Sequence, residues 1–361
     1  VYLGSLDSKD TRRLMASDWR VAYAQAPDAS GYLLFLRGRT LMAHTFDTKA
    51  LRLVGEPIPI AEPIWYDLTI PGLTSFSVSD NGVLTYRSGG IRGTQLVWFD
   101  RSGKQLSAIG AAGAYIDPWL SPDEKRVVAA RLDAATGTRD IWMFDPARGT
   151  ESRLTSHPMD DAFPLWSPDG ASIVFSSDRE GGPNLFQKAS SGAGNEEVLL
   201  TSPVSKYATG WTRDGRYIVY ATWGDKTKWD LWVLPLADRK PIPYLQTEFD
   251  SFQAQFSPDG RWIAYASNET NRYEVYVQPF PMTGSKSQIS TTGGSQPSWR
   301  RDGKELYYLA HDRKLMAVEI KAGATFDAGD PKPLFQTQVS GLEDARNHFA
   351  PSADGQRFLV T

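Results

Sequence analysis

The chain has 361 residues, with 39 Lys and Arg against 42 Asp and Glu, a net charge of −3 and no cysteine. Near-neutral charge, with basic residues scattered in short pairs such as Arg12-Arg13 and Arg300-Arg301, argues against a nucleic-acid partner, which needs a basic stripe. The missing cysteine excludes disulfides, thiol nucleophiles and thiolate-bound metals, and no apolar run reaches the roughly 18 residues of a membrane-spanning helix.

In chain order, Val1–Asp7 and Thr11–Met15 read as a third and a fourth strand with no first or second before them. No signal peptide opens the chain, so a domain cut from a longer protein is expected. Residues 17–63 form the least regular unit, with strands at Val21–Ala24, Tyr32–Arg37 and Thr40–Asp47 and a proline-interrupted edge at Pro57–Ala61. Residues 74–110 read as a compact unit, with Leu96–Asp100 as its third strand. Residues 115–155, 162–201, 206–247, 252–291 and 295–337 follow as regular units. A polar connection over 338–348 leads to a last strand pair within 347–361.

These units share one turn. Trp166-Ser-Pro-Asp-Gly170, Trp211-Thr-Arg-Asp-Gly215, Phe256-Ser-Pro-Asp-Gly260 and Trp299-Arg-Arg-Asp-Gly303 are clear copies, and Leu120-Ser-Pro-Asp-Glu124 has lost the glycine. Pro presets φ, Asp bonds its own backbone and Gly accepts φ > 0. Weaker copies extend the series, so that the marker aspartates are 28, 80, 123, 169, 214, 259, 302 and 354, spaced 43 to 52 apart. A period of about 40–50 residues with four short strands per unit is the signature of a β-propeller. The fold expected is therefore all-β: one domain over 1–361, an eight-bladed propeller of four-stranded antiparallel blades. Its ring would be closed by residues 1–16 sharing a blade with 347–361; seven blades is the alternative.

The Ser-Pro-Asp-Gly turn, the aromatic before it and the later Asp140-Ile-Trp142, Asp230-Leu-Trp232 and Asn184-Leu-Phe186 strands resemble the WD-like repeats of the TolB family. Val1-Tyr-Leu-Gly-Ser-Leu-Asp-Ser-Lys-Asp-Thr-Arg-Arg-Leu14, Gly31-Tyr-Leu-Leu-Phe-Leu-Arg37 and Thr40-Leu-Met-Ala43 resemble the C-terminal propellers of bacterial membrane-anchored serine/threonine protein kinases. That resemblance implies an extracytoplasmic sensor domain, periplasmic or at the cell surface, tethered through a membrane helix outside this chain. No kinase motif occurs in the chain itself.

Four histidines, His44, His157, His311 and His348, lie in different units without metal-binding spacing, and no Gly-x-Ser-x-Gly elbow is present. No catalytic residue, metal or cofactor is expected. Acidic residues do stand just ahead of first strands: Asp67, Asp117, Asp160, Asp161 and Asp250. They would either ring one mouth of the central channel, as acid–base pairs or a cation site, or satisfy backbone donors in turns. Aromatics accompany them at Trp19, Tyr66, Tyr115, Phe163, Tyr207 and Phe252, as a cradle for a sugar or peptide or as packing between blades. Ring closure is expected to bring Asp18–Arg20, Tyr66–Asp67, Tyr115–Asp117, Asp160–Asp161, Lys206–Tyr207, Asp250–Phe252, Gln296 and Arg346–His348 to one ligand-binding mouth. The function expected is non-catalytic recognition of a small ligand, peptide or protein. A hydrolase or lyase with its site at that mouth, and a TolB-like protein-interaction scaffold, are the alternatives.

Overall fold

A turn aspartate organises each repeat. At Ser167–Ser172, Ser167 Oγ donates to Asp169 Oδ1 at 2.6 Å, the Ala171 N–H donates to the same oxygen, and the Ser172 N–H donates to Ser167 Oγ. The same bonds recur at Asp123, Asp259 and Asp354, and with a threonine at Asp214. Each Asp-bonded turn reverses the chain between an inner strand and the next one out, which sets the register of the sheet that follows.

The structure, a computed structural model, describes residues 1–361 apart from 5–6, 8–9, 18–19, 26–30, 39, 65–75, 80, 89–93, 134–135, 225–227, 284–285, 323–324 and 340–344. The elements are antiparallel strands, and among the described residues no helix is long and apolar enough to cross a membrane. The chain divides into two compact units, residues 1–93 with 134–137, and residues 94–133 with 138–361.

In the first unit, Ala22–Gln25, Gly31–Arg37, Thr40–Asp47 and Arg52–Ala61 form a four-stranded sheet around Leu34, Leu36, Leu41 and Ile64. Tyr2–Gly4 pairs with Thr11–Arg13, and Phe76–Val78 with Leu84–Tyr86.

The second unit is a ring of six sheets, five of four strands and one of five, numbered here from its closing sheet. Sheet 1 joins Phe349–Pro351 and Arg357–Val360 to Thr94–Asp100 and the first half of the long strand Gln105–Leu120. The second half of that strand begins sheet 2, with Val127–Leu132, Arg139–Asp145 and Thr150–Arg153. Gly110 lies between the halves at φ 67°, and a Cβ there would stand 2.9 Å from Phe144. Only glycine takes that backbone in that space without strain.

Sheet 3 is Asp161–Trp166, Ser172–Ser177, Asn184–Ala189 and Glu197–Leu200. Sheet 4 is Ser205–Trp211, Tyr217–Trp223, Trp229–Pro235 and Ile242–Leu245. Sheet 5 is Ser251–Phe256, Trp262–Ser267, Glu274–Pro279 and Ser287–Gln288. Sheet 6 is Gly294–Trp299, Glu305–Ala310, Lys314–Ala322 and Lys332–Gln336, with Phe326–Ala328 on Lys314–Ala322. Each first strand neighbours the next around the circle, and Phe349–Pro351 touches both Gly294–Trp299 and Gln105–Leu120, completing it. Apolar residues between the sheets, such as Val128, Phe175, Phe252 and Tyr265, form the core.

Three expectations are corrected. The ring of this unit has six sheets, not eight or seven. The strand Arg357–Val360 pairs with Val97–Asp100, not with Val1–Met15. Residues 74–110 do not form one blade, because Phe76–Val78 and Leu84–Tyr86 lie in the first unit and Thr94–Asp100 in the second. The closing pair sets Leu359 opposite Trp98, both buried, so pairing there covers apolar surface on both strands. Tyr2–Gly4 and Thr11–Arg13 have little to offer such a seam: Tyr2 is 68% exposed and all of Thr11–Arg13 is exposed.

Candidate functional site at the centre of the ring

Four inner strands carry a bulge at the same place, with a non-glycine residue in the left-handed region: Asp117 (φ 54°), Phe163 (55°), Gln253 (54°) and Gln296 (58°). Such backbone costs about 1–2 kcal/mol per residue and re-aims the side chain. Here the re-aimed side chains meet one segment, Arg346–His348.

Gln253 Nε2 donates to the Arg346 carbonyl at 2.9 Å, and Gln253 Oε1 accepts the Gln296 N–H at 2.7 Å. Gln296 Oε1 in turn accepts the His348 N–H at 2.7 Å. The Asn347 N–H donates to Asp117 Oδ1 at 2.8 Å while the Asp117 N–H donates to the Asn347 carbonyl. Arg346 lies over the Phe163 ring, 5.1 Å from its centroid, with Nη1 3.6 Å from Asp117 Oδ2. Phe163 packs at 4.8 Å against Tyr207. Sheets 2, 3, 5 and 6 therefore reach the segment that leads into sheet 1, and sheet 4 packs on Phe163 beside it. Burial pushes the Asp117 carboxyl up against the pull of Arg346, and burial, then the Arg346 charge, lowers His348 to about 4.

Beside this network, Asp160 accepts from the Arg139 N–H at 2.6 Å and from Arg139 Nη1 at 2.8 Å, and its carbonyl accepts the Asp178 N–H. Burial raises the Asp178 carboxyl to about 6, with help from the charges of Asp160 and Asp161. Tyr207 is raised too, by burial first and then by Asp178, so these groups feel one another directly. The cluster contains two guanidiniums, three carboxylates and two aromatic rings. Among the described residues no group of three or more His, Asp or Glu is placed to hold a metal ion.

Of the residues expected at one mouth, the structure gathers Asp117, Asp160, Tyr207, Gln296, Arg346 and His348. Asp161 is fully buried, held by Arg179 Nη2 at 3.0 and 3.1 Å. Asp250 accepts from Asn268 Nδ2 and the Tyr273 hydroxyl. Lys206 reaches Asn184 Oδ1 at 2.8 Å, and burial lowers it to about 8. Tyr115 and Phe252 are both buried, edge-on to Phe144 and Tyr273 respectively. Arg20 is exposed in the first unit, and Asp18, Trp19, Tyr66 and Asp67 lie outside the described residues.

Gln253, Arg139 and Asp178 were not singled out from sequence. Counting six residues back from each turn aspartate reaches Asp117, Phe163, Ala208, Gln253, Gln296 and His348, so the turn spacing did carry a signal for Gln253. Arg139 and Asp178 have no such marker, being loop-side residues of second and third strands.

At the other end of the inner strands, where they run into the turns, lies a cavity of about 360 Å³. Trp119, Trp166, Trp211, Phe256 and Trp299 contribute to its wall.

Residues 73–231 match the family described as PD40, TolB beta propeller domain. The Tol-Pal system protein TolB of Helicobacter pylori is 27% identical over 175 residues, covering 47% of this chain and 38% of that protein. The chain thus spans well under half the length of this curated relative. Among solved structures, a TolB-assigned chain from Agrobacterium tumefaciens superposes with TM-score 0.58 at 18% identity, covering 75% of this chain and 98% of the other. TolB from Acinetobacter baumannii gives 0.53 at 16%, covering 83% and 81%. These likenesses concern the fold.

Proposed function

We propose that this TolB-like β-propeller is a non-catalytic recognition module that takes a peptide, protein or small ligand at the ring end built from Asp160, Asp178, Tyr207 and Arg346. We propose further that it works outside the cytoplasm, as the sensor part of a bacterial receptor serine/threonine kinase. The sensor reading rests on the sequence resemblance of Val1–Leu14 and Gly31–Ala43.

One observation carries the recognition reading. The charges of this end are spent on one another: Arg139 on Asp160, Arg346 against Asp117, Arg179 on Asp161. Paired in this way, these groups hold a shape, as a preformed polar surface with aromatic faces does. Asp178 is the group best placed to change protonation when a ligand covers it, since its pKa already stands near 6.

A thermal-shift screen against peptides, sugars and divalent ions tests this, because a ligand of the native state raises the melting temperature by mass action. The expected hit loses its effect in Tyr207→Ala and Asp160→Asn but not in Glu151→Gln, on an outer strand. Chemical turnover of the hit, or a hit indifferent to both site variants, would overturn the reading.

A further inference from the structure

Six equivalent positions precede the turn aspartates of the ring: Pro122, Pro168, Arg213, Pro258, Arg301 and Ala353. All six line the cavity at the turn end. Sheets 4 and 6 place an arginine where three other sheets have the proline that suits the turn. Local turn chemistry therefore does not account for these two arginines.

Their side chains lie across the mouth. Arg301 Nη1 donates to the Pro122 carbonyl at 2.7 Å, two sheets further round the ring, and Arg213 Nη2 donates to the Arg301 carbonyl. The Arg301 charge is felt at Arg213, which is pushed down by partial burial first and by Arg301 second, while both side chains remain exposed to solvent. Neighbouring turn arginines behave differently. Arg216 pairs with Asp214, Arg261 with Asp259, and Arg300 with both Asp302 and Glu305. Asp302, whose charge reaches Arg213, is already chelated by Arg300 at 2.7 and 2.9 Å. Glu124, also on the cavity wall, accepts the Ala353 N–H. Neither Arg213 nor Arg301 forms an ion pair among the described residues. The wall below them is indole and phenyl: Trp119, Trp211 and Phe256 with Trp166 and Trp299.

We propose that this cavity binds an organic carboxylate with an aromatic or large apolar body, the carboxylate held between Arg213 and Arg301 and the body laid against the tryptophans. Guanidinium donors match a carboxylate in a fork, and an anion between two like charges relieves their repulsion. A volume of about 360 Å³ falls at the small end of ligand pockets, enough for one aromatic acid or one terminal residue of a peptide. The site is separate from the Arg346–His348 network and stands whether or not the ring's other end binds anything.

A free acid and a peptide C-terminus share this chemistry, so both are tested by isothermal titration on the whole chain. The probes are N-acetylphenylalanine, its amide, the pentapeptide Ala-Ala-Ala-Ala-Phe with free and with amidated C-terminus, and inorganic phosphate. Binding of one free carboxylate is expected, weakened at least tenfold by amidation and by Arg213→Gln or Arg301→Gln, and unchanged in Arg216→Gln, which removes the same charge outside the cavity. The arm that binds identifies the source, small acid or chain end. Melting curves of the variants confirm that the ring remains folded. The proposal is overturned if neither free carboxylate binds, if acid and amide bind alike, if Arg213→Gln combined with Arg301→Gln still binds, or if phosphate binds as tightly as the acids.

Discussion

Gln296 and His348 hold each other by two contacts: the His348 N–H donates to Gln296 Oε1 at 2.7 Å, and Gln296 Nε2 stands 3.0 Å from His348 Nδ1. Because Oε1 takes the backbone proton, the amide NH₂ must face Nδ1, and Nδ1 must be the unprotonated, accepting nitrogen of a neutral ring. A proton on Nδ1 would set donor against donor. Geometry thus agrees with burial in keeping this histidine uncharged.

A pH dependence follows. His348 titrates near 4 when folded and about 6.5 when unfolded, so between those values the unfolded chain binds more protons. Stability from this group is complete above about pH 6.5 and is lost as pH falls toward 4, on the order of 3 kcal/mol in all. Urea unfolding of the wild type and His348→Gln at pH 7, 5.5 and 4.5 should show the variant's deficit shrinking with acidification. A deficit independent of pH would contradict the assignment.

Asp178 has the opposite sign. Its folded pKa of about 6 lies above the ordinary 3.8, so the folded state binds the extra proton and the group destabilises above pH 6. Asp178→Asn should therefore stabilise the protein at pH 7, by about 1–2 kcal/mol after allowing for its partial exposure. The gain should vanish toward pH 4. Melting temperatures at the two pH values decide it.

Arg179 neutralises Asp161, whose side chain is fully buried, and also pairs with Glu196 at 2.7 Å. Arg179→Ala should cost about 3–5 kcal/mol, since it leaves a buried carboxylate uncompensated. Adding Asp161→Asn to it should recover part of the loss. A loss under about 1 kcal/mol in the single variant would mean that Arg179 does not compensate a buried charge on Asp161.

The closing seam gives a direct contrast. Leu359→Ala, opposite Trp98, should cost about 2–5 kcal/mol by cavity formation, whereas Leu3→Ala, only half-buried on the N-terminal hairpin, should cost under about 1 kcal/mol. Equal effects would argue for ring closure through the N-terminal strands after all.

The sequence by itself determined the sheets of the ring's regular stretch and their turns. Hydrophobic alternation and an Asp-Gly turn act over six or seven residues, so Ser257–Trp262 specifies its hairpin with no help from the rest of the chain. It also placed Asp117, Gln296 and His348 at equivalent positions ahead of turn aspartates. Only the tertiary structure decided which strands close the ring. Arg357–Val360 finds Thr94–Asp100 across more than 250 residues because burying Leu359 against Trp98 removes more apolar surface from water than any pairing with Thr11–Arg13 could. The same holds for charge. Arg139 meets Asp160, and Arg301 the Pro122 carbonyl, only once the ring has brought separate turns together, and no local spacing encodes a contact between loops of different sheets.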